Sequence, residues 1–170
     1  SAEQQRYGEI KQLLALRALH LRSAEKAWQL AREQAQEHQR IVDARLTEVA
    51  ELGERSDRLT HWLSGPGAAE LPAMNARWQA LRAALDDQLE RAESTLADEQ
   101  DDLAQSRRLE GQQRAAWLRA KAALDAAEQL CASAKKTLVR RNDARQELEL
   151  DDVAVRAPRA AATPSPRRSA

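Results

Sequence analysis

The sequence predicts an all-α fold: a long antiparallel two-helix coiled-coil hairpin with a disordered C-terminal tail. Three observations carry this expectation, namely a seven-residue apolar repeat, a composition of helix formers, and a single strong break in the helical pattern. In the repeat, Tyr7, Leu14, Leu21, Trp28, Ala35, Val42, Val49 and Leu63 recur at one heptad position, and only Ser56 interrupts them. Three residues after each stands Ile10, Arg17, Ala24, Ala31, His38, Arg45, Leu52 or Leu59, which makes a second series, apolar or small at most positions. Spacing of this kind places both series on one stripe of a helix, the seam of a coiled coil.

Composition agrees. The 170 residues include 5 Gly, 5 Pro, 1 Tyr and no Phe, so the aromatic and turn residues of a sheet core are scarce. Ala, Leu, Arg, Glu and Gln dominate, and they lose least rotamer freedom in a helix. Lys plus Arg and Asp plus Glu each number 27, a cancellation that argues against a general nucleic-acid binder.

The first helix is expected from about Ala2 to Leu63. It stops at Ser64-Gly65-Pro66-Gly67, and with Pro72 this cluster supplies the turn, residues 64–72. The second helix is expected from about Ala73 to Leu148. At about 1.5 Å per residue the two would be roughly 90 Å and somewhat over 110 Å long. Isolated helices of such length need a partner along their whole face, and each supplies it to the other. A fold-back centred on Gly65 to Gly67 would oppose residues whose numbers sum to about 135. The second stripe runs through Trp78, Leu85, Leu89, Ala92, Leu96 and Leu103, then Trp117, Ala120, Leu124, Ala127, Cys131, Ala134 and Leu138. Between these blocks the same positions hold Glu99, Ser106, Glu110 and Gln113, a polar gap expected opposite Ala24 to Ala35, with loose pairing and a discontinuity or local bend there.

Beyond the hairpin, residues 1–156 in all, the segment 157–170 carries Pro158, Pro164, Pro166, Arg159, Arg167 and Arg168 with no acid. It is too poor in apolar residues to order itself.

Catalytic chemistry is not expected. His20, His38 and His61 lack Cys or carboxylate partners at metal-ligand spacing, and no Gly-rich loop cradles phosphate. The acidic pairs Asp86-Asp87, Asp98-Glu99 and Asp101-Asp102 read as a solvated face rich in i,i+4 partners. Trp28, Trp78 and Trp117 fall on the seams as packing residues, whereas Trp62 either caps the hairpin end or stands out as a contact. Cys131, the lone cysteine, reads as a small apolar seam residue. Lys135, Lys136, Arg140, Arg141 and Arg145 make one end basic, which suits either a helix C-terminal dipole or an acidic partner. The N-terminus shows no basic segment followed by an apolar run, and no stretch is long enough to span a bilayer, so a reducing cytoplasmic home is expected.

The segment Gln146-Glu147-Leu148-Glu149-Leu150-Asp151-Asp152-Val153-Ala154-Val155-Arg156, at the far end of a long helical hairpin, resembles the FliJ, YscO and HrpO group, the central-stalk proteins of bacterial flagellar and type III secretion export. Many members end their second helix in a Glu-Leu-Asp-Glu-like stretch followed by an apolar pair and Arg. The resemblance in architecture covers about Ala2 to Arg156. It implies a non-enzymatic shaft without cofactor or metal, cytoplasmic and peripheral to the inner-membrane export apparatus. The end bearing both termini would enter the ring of the export ATPase, with Arg6, Tyr7, Lys11, Lys135, Lys136, Arg140, Arg141 and Arg145 facing it. The turn, with Trp62, Gly65, Pro66 and Gly67, would reach the export gate protein. Secretion chaperones are further candidate partners, while nucleic acid, membrane insertion and a small-molecule substrate are not expected. The Pro and Arg tail departs from the family pattern. A rival reading comes from Met74-Asn75-Ala76-Arg77-Trp78-Gln79-Ala80-Leu81, which resembles the Trp-containing helix of spectrin-like spacers. Such repeats need three helices in roughly a hundred residues. A secretion chaperone or regulator dimerising through the seam is the other alternative.

Overall fold

The computed structural model describes residues 1–66 and 72–160, with side chains placed for all of these except 72, 73 and 158–160. Two helices account for nearly all of it, α1 over Ala2–Leu63 and α2 over Pro72–Ala160, packed against each other as an all-α hairpin, with no strand among the described residues. Ser1 starts α1: the Gln4 backbone N–H donates to Ser1 Oγ at 3.4 Å, and the Ser1 ammonium donates to Gln4 Oε1 at 3.2 Å. This reciprocal box satisfies donors that the first turn leaves open. At the other end Ser64 Oγ donates to the Thr60 carbonyl at 2.9 Å, and the Gly65 N–H to the Trp62 carbonyl at 3.1 Å. None of the described glycines has a positive φ, so no left-handed glycine caps α1 among the described residues. Gly67 lies outside the described residues.

α2 outruns its expected end at Leu148. Nothing in Glu149 to Ala157 breaks a helix, and good formers carry it on even where the seam has stopped. Of the expected tail, residues 157–160 are helical, and 161–170 lie outside the described residues. An unbroken α2 also removes the third helix that a spectrin-like repeat would require.

The chain divides into two compact units, one of Ser1–Arg22 with Arg119–Ala170 and one of Ser23–Leu118. Within the second unit Ala31, Ala35, Val42, Leu52, Leu59, Ala92 and Leu103 are buried. Trp28 stacks on Trp117 with ring centroids 5.0 Å apart and planes 29° apart. In the first unit Ile10 and Ala127 are buried, and Arg141 pairs with Glu3 at 2.7 Å. Every expected seam residue, from Leu14, Leu21, Trp28, Val42, Val49 and Leu63 to Trp78, Leu85, Leu89, Leu96, Leu103, Trp117, Leu124 and Leu138, is buried or half-buried. Cys131 is half-buried on the same stripe.

The register differs from the expected one. A centre at Gly65 to Gly67 would set Trp28 against Arg107 and Arg45 against Glu90, whereas the structure sets them against Trp117 and Glu99. The opposing residues lie nine to ten positions, about two and a half turns, further along α2, which opens at Pro72, a residue suited to a first helical position. This shift slides the polar gap toward the turn, where polar seam positions of α1 await it. Arg45 Nε donates to both carboxylate oxygens of Glu99, at 3.1 and 3.2 Å, and its Nη1 to Glu48 at 2.8 Å. Arg107 donates to Gln39, and Ser56, the one interruption of the heptad series, donates from Oγ to Asp86 Oδ1 at 3.0 Å. Of the discontinuity or local bend expected here, no discontinuity is present: both helices pass through unbroken, and Ala31 and Ala35 are among the most buried residues. Two open, polar-lined grooves flank the region, one beside His38 and Ser106, the other beside Ala35 and Glu110.

Candidate functional site

A two-helix seam encloses little. Among the described residues no large side chain is fully buried. No group of three or more His, Cys, Asp or Glu is placed to hold a metal among the described residues, and His20 and His61 are exposed while His38 is half-buried. Among the described residues Arg45 is the group whose titration is displaced: the hydrogen bonds it donates to Glu48 and then Glu99 hold its guanidinium above the ordinary value. That is an ion pair across the seam. No helix of the described residues is long and apolar enough to cross a membrane. The candidate sites are consequently surfaces.

One surface lies in the second unit near the turn. Trp62 and Trp78 meet with centroids 4.9 Å apart and planes tilted by 51°. With Leu59, Leu81 and Leu85 they floor a groove of about 530 Å³, rimmed on α1 by Arg55 and Arg58. Trp62 thus does both things open to it, touching Trp78 while remaining 39% exposed. Arg55 and Arg58 are exposed, and neither makes an ion pair or hydrogen bond among the described residues, although Glu51 and Glu54 stand one turn before them. Of the expected tip residues, Gly65 is crowded, since a Cβ there would lie 3.3 Å from the Trp62 carbonyl oxygen, and Pro66 is exposed.

The other surface lies in the first unit. Arg6 lines a small groove of about 200 Å³ with Glu3, Ile10, Leu130 and Thr137. Tyr7 is half-buried, and Lys11 Nζ sits 5.2 Å above its ring centroid, within cation–π reach. Arg141 is engaged by Glu3, and Arg145 stands beside Asn142 and Ser1. Lys135, Lys136 and Arg140 are exposed on α2. So Arg6, Arg141 and Arg145 do gather about the start of α1, while the two lysines line none of these grooves.

The sequence did not anticipate how far α2 continues. From Val139 to Ala157 every residue is exposed, and Leu148, Leu150, Val153 and Val155 are 62% to 68% exposed. Beyond Arg145 this is an acidic helix with apolar residues that makes no ion pair and lines no groove among the described residues. Its signal was present in the spacing: Leu150, Val153 and Ala157 fall at i, i+3 and i+7, on one face. Arg55, Arg58 and Leu81 were overlooked because each lies off the seam, and a groove is invisible in a linear pattern. Comparison of the chain with protein-family models, with curated proteins and with solved structures gave no match.

Proposed function

We propose that this chain is a non-enzymatic central stalk of a bacterial type III secretion or flagellar export apparatus, engaging the cytoplasmic export ATPase with the end that bears both termini and the export gate with the turn. The observation that supports it most is the exposed helical segment Gln146 to Arg156, the stretch that resembles the FliJ, YscO and HrpO group, projecting unpacked from the unit that also holds Arg6, Arg141 and Arg145. An unpartnered helix with apolar side chains in water is a segment built for docking. An asymmetric two-helix element inside a symmetric ring would favour one subunit conformation at a time, by binding it better than the others.

The test is biochemical. The purified chain should co-purify with the export ATPase of the same organism and raise its hydrolysis rate or its oligomerisation, and Leu150→Asp with Val153→Asp should abolish both effects while helicity is retained. Absence of co-purification together with unchanged hydrolysis and assembly would overturn the reading.

A further inference from the structure

The acidic helix and the basic-rimmed groove are complementary, and they lie on the same chain. We propose that the groove formed by Trp62, Trp78, Leu59 and Leu81 receives the acidic C-terminal helical segment of a second copy, so that the chain self-associates head to tail.

The apolar fit comes first. A helix presenting anchors at i, i+3 and i+7 into an apolar groove is a recurrent recognition mode, and Leu150, Val153 and Ala157 offer that spacing. The groove, at about 530 Å³, falls in the range of roughly 300–1,000 Å³ in which sites bury side-chain-sized ligands. Its floor is aromatic and aliphatic, with Trp62 and Leu81 exposed at 39% and 44%.

Charge then selects the occupant. On the same helix, Glu147 and Asp151 stand four residues apart along one edge of the Leu150 and Val153 face. Arg55 and Arg58 stand three apart along the groove rim, uncompensated among the described residues. Two carboxylates and two guanidiniums thus repeat at matching one-turn intervals, a geometry suited to paired charge-assisted hydrogen bonds. Homotypic pairing of two acidic helices is disfavoured, because Glu147, Glu149, Asp151 and Asp152 of each would meet the like charges of the other. The remaining grooves are lined mainly by polar groups, and the one at Arg6 already contains Glu3 in its ion pair with Arg141.

The contact is heterologous, with a different patch on each side, so reciprocal contacts close a dimer and successive ones build larger assemblies. It uses the helix and the turn that the stalk reading gives to the ATPase and the gate, as an alternative occupancy of both, and it is tested without any ATPase. Sedimentation velocity on the full chain, over roughly 1 to 300 µM, should show monomer giving way to dimer and larger species, the K_d range of a small interface. Raising salt from about 0.05 to about 0.5 M should weaken this, since the rim charges are exposed. Arg55→Glu with Arg58→Glu, and separately Glu147→Lys with Asp151→Lys, should each weaken association at least tenfold, with far-UV circular dichroism unchanged. Mixed, the two variants should associate again, because the intact acidic helix of one meets the intact groove of the other and the two reversed patches are once more opposite in charge. A wild-type chain that stays monomeric throughout would overturn the proposal, as would association that survives reversal of Arg55 and Arg58, or a mixture that forms no dimer. A chain that stays monomeric but binds an unrelated acidic helical peptide in the groove would assign the site to another protein and equally overturn self-association.

Discussion

Replacing the Trp28 and Trp117 pair should reveal how much of the hairpin rests on one aromatic contact. Truncation of a buried Trp to Ala costs about 3–5 kcal/mol. Both rings are half-buried, so about half of that applies, and the stack at 5.0 Å adds about 0.5–1.5 kcal/mol. Trp117→Ala is therefore expected to cost about 2–4 kcal/mol. Trp28 differs in one respect: its Nε1–H is buried with no acceptor among the described residues, a standing penalty of about 1–3 kcal/mol that truncation removes. Trp28→Ala should accordingly cost less than Trp117→Ala, by about 1 kcal/mol, and Trp28→Phe should be neutral or stabilising because it keeps a stacked ring and deletes the orphan donor. For a chain of this size each kcal/mol moves the thermal midpoint by about 2–4 °C, so Trp117→Ala should melt roughly 4–16 °C below wild type by circular dichroism at 222 nm. The double variant should show a coupling of about 0.5–1.5 kcal/mol. If both single Ala variants stay within about 0.5 kcal/mol of wild type, or Trp28→Phe is as damaging as Trp28→Ala, the assigned packing is wrong.

Three further outcomes follow from other parts of the molecule. Ser56→Ala removes a hydrogen bond to a carboxylate that stays exposed and can be hydrated, so denaturant titration should show a loss of about 1 kcal/mol and no more than about 2. Ending the chain after Asn142 should lower total helicity while leaving the thermal midpoint within about 2 °C, because residues 143–157 are exposed; a large drop would mean that the segment is packed in solution. Glu99→Gln should destabilise the fold, whereas Arg45→Met combined with Glu99→Leu should recover or exceed wild-type stability, as measured by thermal melting. The sign of the pH effect follows from the raised Arg45 value: its stabilisation is complete below the unfolded-state value and is lost only as pH rises through the folded one. Melting of Arg45→Met relative to wild type should therefore differ by a constant amount from pH 6 to pH 10, and a difference that changes on the alkaline side would contradict the assigned cause.

The seam was legible because a 3.5-residue repeat projects directly onto one helix face, and all fourteen marked positions, Leu14 through Leu138, are shielded. The register was not legible from the turn. Gly65 and Gly67 were taken as its centre, yet the alignment is set where polar seam residues meet, at Arg45 with Glu99 and Ser56 with Asp86. Read as interruptions, these residues hid their role; read as a matched set, they would have given the offset. The end of α2 was placed at Leu148 because the stripe fades there. Helix propensity outlasts the stripe, and the result is the exposed acidic segment. The groove at Trp62 was half visible, since Trp62 and Trp78 stood out, but Arg55, Arg58 and Leu81 needed the third dimension.

The polar cross-pairs have a consequence for how the molecule could move. An Ala and Leu stripe alone is nearly periodic, so one helix could slide past the other by a heptad at modest cost. Such a slip would bring Arg45 opposite Ala92 or Ser106 and take it from the carboxylate it pairs with across the seam, while Ser56 would exchange Asp86 for Gln79 or Glu93. Those pairs act as a detent that leaves one stable alignment among several near-degenerate ones. Any signal passing along this hairpin must then travel by bending, rotation or exchange of partners at an end, and not by a change of phase between its helices.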